Sequence, residues 1–69
     1  MRFYRFDIDG RNFILSEGPD LRVNGRAVTE WEVREDHGDH YRQFGNAHLP
    51  RRATKVQMRT HIAEYYAVA

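Results

Sequence analysis

The sequence predicts an α+β fold: a small antiparallel β-sheet of four to five strands built from hairpins, with one C-terminal α-helix packed on it. Three observations carry this. Asp9-Gly10 and Asn24-Gly25 each separate two runs of strand-forming residues, and such dipeptides readily adopt the left-handed backbone of a two-residue type I′ turn. Apolar and polar side chains alternate around these turns, with the period of a half-buried strand. Beyond Pro50 a long stretch carries neither Gly nor Pro, which is unusual for a strand and ordinary for a helix.

The first hairpin is specified in full. A turn at Asp9-Gly10 pairs Ile8 with Arg11, Phe6 with Phe13 and Tyr4 with Leu15 on one face. On the opposite face Arg5 meets Ile14 and Asp7 meets Asn12, with Phe3 on the same side. Turn chemistry and apolar pattern therefore agree on one register. Ser16-Glu17-Gly18-Pro19-Asp20 has the composition of a loop. The turn at Asn24-Gly25 then pairs Val23 with Arg26 and Leu21 with Val28.

Past Val28 the apolar residues move to odd positions, Trp31 and Val33. A bulge or strand break near Thr29 would accommodate that change, because one extra residue flips the faces. Residues 30–35 alternate as a half-buried strand, and Asp36-His37-Gly38-Asp39 reads as a turn. A four-residue loop there sets Trp31 against Phe44 and Val33 against Arg42. Hairpin strands thus span residues 2–44, and residues 45–50 read as irregular.

The last segment admits two readings. Val56, Met58, Thr60 and Ile62 alternate like a strand, whereas Met58, Ile62, Tyr65, Tyr66 and Ala69 follow helical spacing. Pro50 ahead of it and its Ala, Gln, Met, Arg and Glu content decide for a helix near 52–67.

At 69 residues the chain is read as one domain, 1–69. A chain this short buries only about 60% of its unfolded surface, so it needs good packing, a metal or a partner. There is no cysteine to form a disulfide, and nine aromatics argue against a disordered tail. No apolar run reaches the roughly 20 residues of a membrane span. The N-terminus MRFYRFDIDG carries charges where a signal peptide needs an apolar stretch, so a cytoplasmic protein is expected.

A net charge of +1 excludes a generic polycation and an acidic nucleic-acid mimic. Within that balance Arg51, Arg52, Lys55 and Arg59 form a basic run. On a helix starting near residue 52 they fall within roughly 100° of one another, at the end where cations are disfavoured by about 0.3–1 kcal/mol each. An anionic partner would relieve that cost. A solvated face, or one neutralised by Glu30, Glu32, Glu35, Asp36 and Asp39, is the plainer reading. Tyr65 and Tyr66 are adjacent and cannot both face inward, so at least one is exposed beside the Arg residues, a composition that suits a binding surface.

His37 and His40 flank the Asp-rich turn, but no fourth-ligand pattern accompanies them, and no metal or other cofactor is predicted. Ser16 has no His or Asp at catalytic spacing, and so thin a domain offers little room for a water-excluding pocket, so no enzyme is predicted. The expectation is a binding module acting by protein–protein contact through Arg51, Arg52, Lys55, Arg59, Tyr65 and Tyr66, in the style of phage or mobile-element inhibitors and accessory subunits. A second copy pairing through an open sheet edge is another partner considered. The alternative is a nucleic-acid-binding module using the same basic residues.

Overall fold

Both two-residue turns form as their dipeptides require. In the computed structural model, which describes residues 1–67, Asp9 and Gly10 take φ of 53° and 79°, and Asn24 and Gly25 take 51° and 77°. The elements are β1 (Phe3–Ile8), β2 (Arg11–Val23), β3 (Arg26–Asp36), β4 (Tyr41–Pro50) and α1 (Lys55–Tyr65). The strands make one antiparallel sheet of four in the order β1-β2-β3-β4, so every neighbour in space is a neighbour in sequence.

The register of β1 on β2 is the one the first turn dictates, from Ile8 opposite Arg11 to Tyr4 opposite Leu15. Val23 likewise pairs with Arg26 and Leu21 with Val28. Between these regions β2 does not break into a loop. Glu17 pairs with Trp31 and Asp20 with Thr29, so Gly18 and Pro19 together oppose Glu30 as a bulge. Gly is needed there, since a Cβ at position 18 would lie 2.8 Å from the Glu30 carbonyl oxygen.

A bulge or break is expected near Thr29, and a bulge is found beside it, but the extra residue sits on β2 and β3 runs unbroken. Val28 therefore faces away from Trp31 and Val33, and the shifted parity of β2 brings Leu21 and Val23 to the same side as Val28.

The third hairpin departs further from expectation. Its loop is His37–His40 and its closing pair is Asp36 with Tyr41. The Gly38 N–H donates to Asp36 Oδ1 at 2.8 Å, and the His37 N–H to the His40 carbonyl at 2.9 Å. Trp31 consequently faces Ala47 rather than Phe44, and Val33 faces Gly45 rather than Arg42. Residues 45–50 are strand, not irregular. Phe44 is the extra residue of a second bulge, beside Gly45 at φ 92°.

Helix α1 starts at Lys55 rather than near residue 52, and residues 55–62 are helical, not extended. Its first turn is set by a reciprocal cap. Thr54 Oγ1 accepts the Gln57 N–H at 3.2 Å, and Gln57 Oε1 accepts the Thr54 N–H at 2.8 Å. Tyr66 is the C-cap, its N–H donating to the Ile62 carbonyl at 2.8 Å. Ala69 lies outside the described residues.

Alternation gives the sheet two unlike faces. Phe6, Ile8, Phe13, Leu15, Trp31, Val33, Ala47 and Leu49 join Met58 and Ile62 of α1 in one core, with Tyr4, Phe44 and Tyr66 packed at its margin. Burying each large apolar side chain here contributes about 1.5–3 kcal/mol. On the opposite face Ile14 is only 3% exposed. Arg5 and Arg34 stand across from it on β1 and β3, and Arg stems cover apolar neighbours in such positions.

Candidate functional site

The residues singled out in the sequence do not form one stripe. Arg51 and Arg52 precede the helix in the turn after β4. Arg51 is tied to the β2–β3 hairpin, with Nη2 3.4 Å from the Leu21 carbonyl and Nε 3.9 Å from Asp20 Oδ2. Lys55 occupies the first helical position with its Nζ 5.2 Å from the centre of the Tyr4 ring, a cation–π contact with β1. Arg59 follows one turn later on the same flank and is exposed. Arg52 and Arg59 have no ion-pair partner among the described residues.

The tyrosines divide as adjacency demands. Tyr66 packs against Phe44 at 5.7 Å, edge to face, and lies at the core margin. Tyr66 is half-buried there, so Tyr65 is the more exposed of the two. Tyr65 is 65% exposed and sits 4.7 Å from the His61 ring. It lies on the flank of α1 that turns toward β4, where Leu49, Val56, Gln57, Thr60, His61, Glu64 and Tyr65 line a shallow groove. Helix α1 thus carries its cations over β1 and its exposed apolar residues over β4.

His37 and His40 stack in parallel at 5.0 Å in the β3–β4 loop, with His40 Nδ1 2.7 Å from Asp39 Oδ1. Among the described residues no three His, Cys, Asp or Glu side chains converge as a metal site. Burial pushes the half-buried His61 imidazole below its ordinary value.

One ionic site emerges that the sequence reading passed over. Glu35 is 4% exposed, and Arg11 holds it in a fork, Nε to Oε2 at 2.8 Å and Nη2 to Oε1 at 2.9 Å. The hydrogen bonds from Arg11 hold this carboxyl below the usual range against the opposing effect of burial, and the nearby His37 and Arg42 act in the same direction. The signal was present: Glu35 shares the inward parity of Trp31 and Val33, and a buried carboxylate demands a cation. Similar pairs join Arg5 to Asp36 at 3.1 Å and Arg2 to Glu17 at 2.7 Å. Asp36 is held low first by the Gly38 N–H and then by Arg5.

Compared with protein-family models, curated proteins and solved structures, the chain finds no match. Among the described residues no helix is long and apolar enough to cross a membrane.

Proposed function

We propose that the chain is a small non-enzymatic binding module that acts in the cytoplasm by protein–protein contact, as an inhibitor or accessory subunit does. The supporting observation is the way its cations divide. Arg2, Arg5, Arg11, Arg34 and Arg51 each stand beside a carboxylate of the same chain. Arg22, Arg26, Arg42, Arg52, Lys55 and Arg59 have no such partner among the described residues and are exposed, and Arg52, Lys55 and Arg59 gather around the start of α1. Lys55 opens the first turn of α1, where the positive end of the helix disfavours a cation by about 0.3–1 kcal/mol, and an acidic surface docked there would offset that cost. Arg is also the residue best suited to bidentate contact with carboxylates at an interface.

Protein is favoured over nucleic acid because the chain as a whole carries only +1. The two partners respond differently to salt, since neutralising several phosphates makes log affinity fall steeply with log salt. The test compares the wild-type chain with Arg52→Glu/Lys55→Glu/Arg59→Glu in affinity capture from the native host. The same chain is titrated into labelled single-stranded DNA, duplex DNA and RNA at low and high salt. A captured protein lost by the triple variant supports the reading. Capture that ignores the three substitutions refutes this site, and tight, salt-labile nucleic-acid binding replaces the reading with its alternative.

A further inference from the structure

The two hairpin turns settle which backbone groups of β4 are left over. A two-residue turn is closed by a hydrogen-bonded pair, and such pairs alternate along an antiparallel ladder. Counting from Ile8 and Arg11, the residues of β2 that bond β3 are Asn12, Ile14 and Ser16, paired with Asp36, Arg34 and Glu32. Those of β3 that bond β4 are then Trp31 and Val33, paired with Ala47 and Gly45. Counting independently from Val23 and Arg26 assigns Thr29 and its partner Leu49 to the same set. The N–H and C=O groups of Asn46 and His48 therefore point away from the sheet.

Natural sheets blunt such edges with charge, brevity or bulges. Nothing charged stands on β4 between Gln43 and Pro50. The Phe44 bulge closes this free stretch at one end. Pro50 closes it at the other, because the next outward N–H would be its own and proline has none.

We propose that this stretch is a self-association edge, on which a second copy of the chain pairs antiparallel about a two-fold axis through Ala47. In that register Asn46 faces His48 of the second copy, and His48 faces its Asn46. Each of these hydrogen-bonded pairs exchanges two N–H···O bonds. Hydrogen-bonding groups are complementary along the outer face. Asn46 is flanked on β3 by Glu32, and His48 by Glu30, its Nε2 lying 3.1 Å from Glu30 Oε2. Every row across the seam thus reads carboxylate, amide, imidazole, carboxylate, with donors in the middle and no like charges in contact.

On the helix side Ala47 meets its own copy, and the small Gly45 lies opposite the larger Leu49 of the second copy where two cores join. The groove beside β4 becomes the seam between two helices. Val56 and Tyr65, 74% and 65% exposed in the single chain, border it. Pairing would add buried surface to the core that each chain already builds, a gain for so short a chain.

Sedimentation velocity over a dilution series tests the proposal. Wild type is expected to dimerise, and His48→Pro to raise the dissociation constant roughly thirtyfold by removing a bond from each pair. Asn46→Pro is expected to do the same, while Phe3→Ser on β1 and the triple Glu variant of α1 leave it unchanged. A chain monomeric at every concentration overturns the proposal, as does a dimer indifferent to both prolines. Should His48→Pro not fold, amide exchange of Asn46 and His48 in the wild type decides. Protection that grows with concentration upholds the edge, and fast exchange at all concentrations refutes it. Because the triple variant reports only on the α1 cations, loss of partner capture and loss of the dimer are separable results.

Discussion

Along β1 the backbone groups that face away from the sheet belong to Phe3, Arg5 and Asp7, whereas along β4 they belong to Tyr41 and Gln43 before the Phe44 bulge and to Asn46 and His48 after it. The first edge is short and charged, and Arg5 reaches across β2 to hold Asp36 of β3. It is anchored from within by Phe6 and Ile8, both nearly buried, and capped by Lys55 over Tyr4. The second edge is longer, uncharged over its outer half, and anchored by Ala47 and Leu49. An edge strand needs protection only where it is not meant to pair. Large side chains and an ion pair secure β1, while β4 around Asn46 and His48 is held by the side chains of Ala47 and Leu49 and by the His48–Glu30 contact.

That contrast can be broken most directly in the core. Phe6→Ala is expected to cost about 3–5 kcal/mol, close to the whole stability of so small a chain. Leu49→Ala is expected to cost about 2–4 kcal/mol. Urea denaturation checks both, and an equal loss at the two positions would show that β1 is no better anchored than β4.

The buried ion pair between β2 and β3, neither of them an edge, adds a reference point through pH. Glu35 has a folded value below its ordinary one, so its stabilising contribution is complete above the ordinary carboxylate range. It disappears as pH falls through the lower, folded value. Glu35→Gln is therefore expected to lower the melting temperature at neutral pH and to flatten its decline in acid. A wild-type acid limb unchanged by the substitution would mean that Arg11 and Glu35 contribute nothing.

Smaller effects are expected where the second edge is altered in the monomer. His48→Pro removes an N–H that no strand of the same chain uses, so monomer stability is expected to change by less than about 1 kcal/mol. Trp31→Pro, by contrast, deletes a donor to β4 within a central strand and is expected to abolish folding. Smallest of all, Arg52→Ala and Arg59→Ala are expected to stay within about 0.5 kcal/mol, since exposed unpaired cations seldom affect stability. A larger loss, seen by thermal melting, would mean that they hold the fold rather than a partner.

Much of this architecture was legible before any coordinates. Asp9-Gly10 and Asn24-Gly25 dictate their registers residue by residue, because a two-residue turn leaves no freedom in what it pairs. The parity change after Val28 was also visible, but its cause was hidden. Gly18 and Pro19 have loop chemistry, and only the presence of β3 alongside turns them into a bulge. Gly45, Asn46 and Pro50 concealed β4 in the same way, since long-range pairing overrides weak local preference.

The helix start was written in Thr54-Lys55-Val56-Gln57, a capping-box spacing outweighed in the reading by Pro50. Moving that start to Lys55 leaves Arg51 and Arg52 outside the helix and dissolves the predicted stripe. The candidate surface was legible as residue types but not as a patch. Which flank each residue takes depends on how α1 lies over Tyr4 and Leu49.

The strand order β1-β2-β3-β4 carries a consequence for how the molecule comes into being. Every ladder joins segments adjacent in the chain, so no long loop must close before the sheet begins to grow. Hairpins of this kind form in about 1–10 μs, and the whole sheet can zip outward from the turns at Asp9-Gly10 and Asn24-Gly25. Folding is accordingly expected in milliseconds or less, fast for a β-rich chain. On the ribosome β1 and β2 can pair while β4 is still unmade, and α1 closes the core last.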